Sequence, residues 1–293
     1  MSSFQTTYLI QQIGISAAAQ ILCQVAAEAG QFVLGMQPFM SNPNLGNRIP
    51  QKSGGSFASA LTDADVACQT LIASRLFTLF GDAGFYGEEA ELDRVSAHFP
   101  KDRPYTITAD PINGTRYYRD GLGLFEVILT LCREDEILAA VICQPAKHQL
   151  YCAVRENGTR KLRRIHLSEN GQMQVSGWVD LSVGKKKQIV LLGEEYSHQA
   201  NLFTAVDIQP VFPWRDYSGQ LNWSHSSSGI LDCECIGIAN ASGQLIDAGA
   251  IAFAVACGGG EWLHGPLDRG TMRYRDCFVA TDSRVTELFR KLG

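Results

Sequence analysis

Apolar and polar positions divide the chain into stretches of helical and of strand-like spacing. Over residues 4–36, Leu9, Ile10, Ile13, Ala17, Ile21, Val25 and Phe32 recur at helical spacing and predict one long helix. Its polar positions are Gln11, Gln12, Gln20, Gln24 and Gln31, with Glu28 the only charge. A polar face this poor in charge predicts a core-packing helix that also offers a subunit contact. Residues 37–60, rich in Gly, Pro, Asn and Ser, predict a surface loop carrying Arg48 and Lys52. Thr62 is a suitable N-cap for a second helix, with Asp63 and Asp65 in its first turn and Gly81 at its end.

Strand patterns follow. Tyr105–Ala109 alternates, and residues 124–132, 137–144 and 149–154 are β-rich runs separated by turns, predicting an antiparallel meander. Asn157-Gly158 closes it with a hairpin turn. Residues 159–188 are polar and basic, and the run Lys185, Lys186 and Lys187 reads as a solvated turn rather than a nucleic-acid site. Ile189–Leu192 is a further strand. An aromatic-rich stretch follows over 202–224, then apolar segments at Leu231–Ile238 and Leu245–Asp247. Residues 247–260 predict a small-residue helix opened by Asp247 and closed by glycines, before a last strand at 278–280 and a last helix at 282–292.

With 293 residues, 45% of them hydrophobic, the chain can bury one large core or two moderate ones, and the patterns divide near residue 182, into 1–182 and 183–293. A net charge of −5 argues against a nucleic-acid polymer or a membrane surface as partner. The apolar runs read as too short to span a bilayer, and the first basic residue is Arg48, so no secretory leader is expected. Nine cysteines, an odd number mostly within apolar runs, read as reduced core residues of a cytoplasmic protein.

The chemistry concentrates at Asp110-Pro111-Ile112-Asn113-Gly114-Thr115, where a carboxylate ends a strand. Pro111 fixes the backbone after it and Gly114 permits a tight turn. Asp110, the Ile112 carbonyl, Asn113 and the Thr115 hydroxyl then offer several oxygens to a hard cation such as Mg2+. Three more acids, Asp65, Glu88 and Asp247, also stand at the boundaries of regular elements. The six histidines are scattered, and neither a G-x-S-x-G elbow nor a Walker loop is present.

In order and context these segments resemble the inositol monophosphatase family over nearly the whole chain. The matching segments are Lys52 with Thr62-Asp63-Ala64-Asp65, Gly87-Glu88-Glu89, Asp110 to Thr115, Asp247-Ala248-Gly249-Ala250 through Gly260, and more weakly Ser227 to Asp232. The resemblance implies an α+β fold layered as an αβαβα sandwich. It also implies Mg2+-dependent hydrolysis of a small phosphate monoester: an inositol phosphate, a sugar phosphate, histidinol phosphate or a phosphonucleotide. Carried across, Glu88, Asp110, the Ile112 carbonyl, Asn113 and Asp247 would hold two or three Mg2+. Thr115, polarised by Asp65, would orient the attacking water, with Glu88 also catalytic. Gly114, Thr115, Arg116, Ser227, Ser228 and Asp247 would face the substrate, and a homodimer is implied. The family places aspartate where this chain has Asn113, so weaker binding of at least one cation and reduced turnover are expected. The alternative is a phosphatase-like protein that binds metal or phosphate without hydrolysis. Ile246, where the family usually has tryptophan, and residues 193–235 are further departures, and the latter leave the substrate open.

Overall fold

The structure is a computed structural model and describes residues 8–40, 63–169, 177–183, 187–212, 229–269 and 271–292. Lys52, Thr62, Lys185, Lys186, Ser227 and Ser228, with most of the aromatic-rich stretch, lie outside the described residues.

The expected single N-terminal helix is two: α1 (Leu9–Ile13) and α2 (Ile15–Met40). Gly14 lies between them at φ +84°, a conformation open to glycine that ends α1. Glu156 then caps α2, accepting the Ile15 amide at 2.8 Å and the Ser16 hydroxyl at 2.6 Å. Helix α3 (Asp63–Phe80) packs beside α2.

A seven-stranded sheet follows in chain order: β1 (Gly84–Gly87), β2 (Tyr105–Asn113), β3 (Glu126–Arg133), β4 (Glu136–Gln144), β5 (Gln149–Glu156), β6 (Thr159–His166) and β7 (Val179–Asp180). The β1–β2 pair is parallel and the rest antiparallel, as the meander pattern predicts. The short helix α4 (Thr115–Arg119) leaves the end of β2. Strand β6 lies within the polar and basic stretch, where the sequence pattern predicts no strand. Asn157 and Gly158 both have positive φ, which folds the chain back on itself, and Leu162 and Ile165 are buried between basic residues that run along the surface.

The second sheet contains β8 (Ile189–Leu192), β9 (Gln209–Val211), β10 (Gly237–Gln244), β11 (Glu261–Leu263), β12 (Leu267–Asp268) and β13 (Arg273–Ala280), ordered β11-β13-β10-β8-β9 with β12 also on β13. Between β8 and β9 runs α5 (Ala200–Thr204). Leu245–Gly249 is a π-helical turn rather than part of a straight helix, and it leads into α6 (Ala250–Cys257). The chain ends on α7 (Ser283–Leu292).

Three apolar interfaces stack these elements into the expected αβαβα layers. Ala18, Leu22 and Ala26 of α2 and Ile72 and Leu76 of α3 cover one face of the first sheet, at Ile107, Leu129 and Val141. The other face, with Ile128, Ala140 and Ile142, packs on the small side chains of α6, which meets Ile238, Cys277 and Val279 of the second sheet. Phe203 of α5 and Val285 and Phe289 of α7 close the far side over Val190, Leu192 and Phe278. The nine cysteines are free and eight of them are buried. Among the described residues one helix, Ile15–Phe39, is long and apolar enough to cross a membrane, which corrects the reading of the apolar runs; here it is the core helix of the first layer.

Candidate active site

Strand β2 runs further than its alternating pattern, carrying Asp110 and Asn113 to its end. Asp110 pairs with Ile128 and Asn113 with Glu126, so β2 takes three residue steps where β3 takes two. This bulge absorbs one residue. Residues 110 and 113 would otherwise point to opposite faces. With the bulge, Ala109 and Ile112 both sink into the first core, and Asp110 and Asn113 share the face towards the second sheet.

The turn is braced from within and from α3. Asp110 Oδ1 accepts the Ile112 amide at 3.1 Å. Gly114 adopts φ 89°, ψ 34°, the left-handed conformation that lets α4 start at Thr115. Thr115 Oγ1 lies 3.1 Å from Asp65 Oδ1 and 2.9 Å from the Ile112 carbonyl. One helical turn beyond Asp65, the Cys68 thiol donates to the Pro111 carbonyl at 3.5 Å. Arg116 is half-buried in α4.

Glu88 arrives from the end of β1, its amide bonded to the Ala109 carbonyl at 3.0 Å and its side chain hydrogen-bonded to Asp110. A Cβ at Gly87 would displace the end of the Gln69 side chain, whose Oε1 holds the Glu89 amide at 2.8 Å. Asp247 comes from the π-helical turn, its carboxylate accepting the Ala248 amide.

The other three predicted acids therefore lie within electrostatic reach of Asp110. Burial pushes the Asp110 carboxyl well above the usual range, and the charges of Glu88, Asp247 and Asp65 push it the same way. Burial raises Asp247 to about 7, with Glu88 adding to the rise and Arg273 and the Ala248 amide opposing it. Among the described residues no group of three or more acidic, histidine or cysteine side chains stands in metal-ligand arrangement. The Ile112 carbonyl and the Asn113 side chain are the oxygens that would complete a set with Glu88, Asp110 and Asp247.

Asn113 is nearly buried, and its Nδ2 donates to Glu126 Oε2 at 3.0 Å. Glu126, 1% exposed, also accepts Gln144 Nε2 on Oε1 at 2.8 Å. Glu126 and Gln69 were not singled out from the sequence. A carboxylate inside the apolar run 124–132 was the available signal for Glu126; Gln69 has none. Of the weaker substrate-side segment, residues 229–232 are described. There Asp232 is tied to the first sheet, by Lys147 at 2.7 Å and by the Tyr151 hydroxyl.

The model of the inositol monophosphatase family matches residues 16–251. An inositol-1-monophosphatase of Mesorhizobium japonicum is 30% identical over 152 residues, covering 50% of this chain and 53% of that protein. One from Rhizobium meliloti is 31% identical over 110 residues, covering 36% and 40%. A histidinol-phosphatase of Chlorobaculum parvum is 29% identical over 139 residues, covering 47% and 48%. The chain thus spans about half the length, or less, of the curated relatives it matches. Among solved structures, the extragenic suppressor protein suhB of Bartonella henselae superposes with a TM-score of 0.65 at 17% identity, over 94% of this chain and 98% of that one. CysQ of Bacteroides thetaiotaomicron does so with 0.66 at 16%, over 90% and 97%. These two similarities establish the αβαβα fold. The family model spans most of the chain, from α2 through both acid-bearing segments into α6, and the chain belongs to the inositol monophosphatase family.

Proposed function

We propose that the protein is a phosphoric monoester hydrolase that uses Mg2+ to cleave small polar phosphates. The observation that carries this reading is that Asp65 and Asp110 brace the Ile112–Thr115 turn while the charges of Asp65, Glu88 and Asp247 all act on Asp110. The donor set fits a hard divalent cation: it is all oxygen, largely anionic, and crowded enough to raise two carboxyl groups, a cost that a cation relieves. Glu88, Asp110, the Ile112 carbonyl, Asn113 and Asp247 would hold two or three ions. When bound, Mg2+ supplies charge neutralisation of the ester and acidification of water.

The chain's own part is to place protons and substrate. Thr115 Oγ1 has one proton and two acceptors within reach. When the proton goes to Asp65, the oxygen's lone pairs remain to receive a hydrogen from water and so orient it. The Gly114 and Thr115 amides, at the start of α4, and the Arg116 guanidinium are suited to phosphate oxygens. Ser227 and Ser228 belong to the same substrate side in this reading. The ester would lie between a unit ending near residue 182 and one beginning at 183. The protein would act in the cytoplasm as a homodimer. Inositol phosphate, sugar phosphate, histidinol phosphate and phosphonucleotide are the substrates to compare.

Asn113 favours a second reading, a protein that binds metal and phosphate and turns over slowly or not at all, because an amide gives one neutral oxygen where a carboxylate gives two charged ones. Phosphate release measured with Mg2+ over the four substrate types separates the two. Release from at least one, lost on chelation and in Asp110→Asn, supports the hydrolase. Calorimetric Mg2+-dependent binding of an ester with no release supports the second reading.

A further inference from the structure

We propose that Glu126 is a positioning residue that makes Asn113 a working ligand, with the negative charge expected at position 113 relocated one hydrogen bond behind it. The inference rests on the reading of the acid cluster as a Mg2+ site and extends it to a residue outside the ligand set.

The geometry is specific. Asn113 and Glu126 are direct partners across the β2–β3 ladder, brought opposite each other by the bulge. An ionised carboxylate only accepts hydrogen bonds, so the asparagine must turn its nitrogen to Glu126. Its oxygen is thereby directed away from Glu126. Without such a partner an amide can flip and present its nitrogen, which cannot bind a cation. Glu126 is itself fixed from both sides, because each of its oxygens accepts from a side-chain amide, Asn113 on one and Gln144 on the other. It lies on the face of β3 shared by Ile128 and Thr130, the face towards the second sheet, as Asp110 does on β2.

The pair therefore exchanges roles without losing a charge. A carboxylate at 113 needs a donor at 126; an amide at 113 needs an acceptor there. It follows that Asn113→Asp alone does not simply repair the site, since two buried carboxylates would then face each other across the 3.0 Å contact.

The test compares the full chain with Asn113→Asp, Glu126→Gln and the exchanged double variant. The readouts are the metal-free melting temperature and Mg2+ affinity by titration calorimetry, neither of which needs a substrate. Glu126→Gln is expected to weaken Mg2+ binding about tenfold, the usual scale for a residue that orients a metal ligand. Asn113→Asp is expected to melt below wild type without metal. The double variant is expected to recover both wild-type melting and at least wild-type Mg2+ affinity. Glu126→Gln that melts lower yet binds Mg2+ as wild type does would show a merely structural role and overturn the inference alone. So would a folded double variant no better in Mg2+ affinity than Glu126→Gln, and this comparison stands even if Asn113→Asp fails to fold. Absence of Mg2+ binding by the wild-type chain would overturn the hydrolase reading and this inference together. Mg2+ binding as expected with no phosphate release from any ester supports the inference and counts against the hydrolase.

Discussion

Asp110 and Glu126 are carboxylates on neighbouring strands, both almost completely buried and both on the same face of one sheet. Their surroundings are opposite. Asp110 looks at three other acids and is driven towards its neutral form. Glu126 looks at two side-chain amides that donate to it. Burial alone therefore does not decide what a carboxylate does; the neighbours decide whether it waits for a cation or has already been satisfied by the protein. The first environment leaves unspent attraction for an external charge, and the second holds a ligand still.

The largest expected contrast comes from neutralising each acid in turn. Asp110→Asn is expected to lower phosphate release by at least ~10³-fold, through loss of charge where the cations and ester meet. The same change should raise the metal-free melting temperature by a few degrees, because like charges are separated. Glu126→Gln should lower it instead, by an amount equivalent to roughly 1–3 kcal/mol, since one amide loses its acceptor. Melting curves in chelator that shift in the same direction for both variants would break the comparison.

The pH dependence sharpens it. Asp110 and Asp247 have folded-state values above the ordinary carboxylate range, about 7 for Asp247. Such groups contribute stability that is fully present below the unfolded value and is lost as pH rises through the folded one. Metal-free protein should lose on the order of a few kcal/mol between about pH 4 and 7 from this source. Saturating Mg2+ should flatten that loss, as denaturant titrations at pH 5 and pH 8 with and without the ion would report.

Glu156 supplies the smallest effect and the opposite sign. The Ser16 hydroxyl and the first amides of α2 hold it below the usual range, so its contribution is present at neutral pH and fades as pH falls through the carboxylate range. Glu156→Gln should cost about 0.5–1 kcal/mol in chemical denaturation, the scale of a helix cap, and leave phosphate release unchanged.

The meander and the acid-bearing turn were legible because each rests on local chemistry. β-Rich apolar runs separated by turns mark β3 to β5, and Pro111 and Gly114 announce a constrained backbone around Asp110. The break at Gly14 was not, because a glycine within a helical pattern is tolerated unless something outside caps the next helix, and here that cap comes from Glu156, distant in sequence. Strand β6 hid behind Arg160, Lys161, Arg163 and Arg164, whose long stems cover the sheet while their charges suggest a loop. Glu126 was read as one letter of a strand. Its meaning depends on facing Asn113, and that pairing requires a bulge that no residue of the turn declares.

The bulge between Asp110 and Asn113 also constrains how this segment can change by descent. Removing or inserting one codon there would turn Asn113 to the opposite face and bury the wrong side of the strand. Substitution in place leaves that phase intact. The segment is thus free to vary in spelling but not in length, and an exchange of acid for amide, answered on the strand beside it, is the kind of change such a segment can absorb.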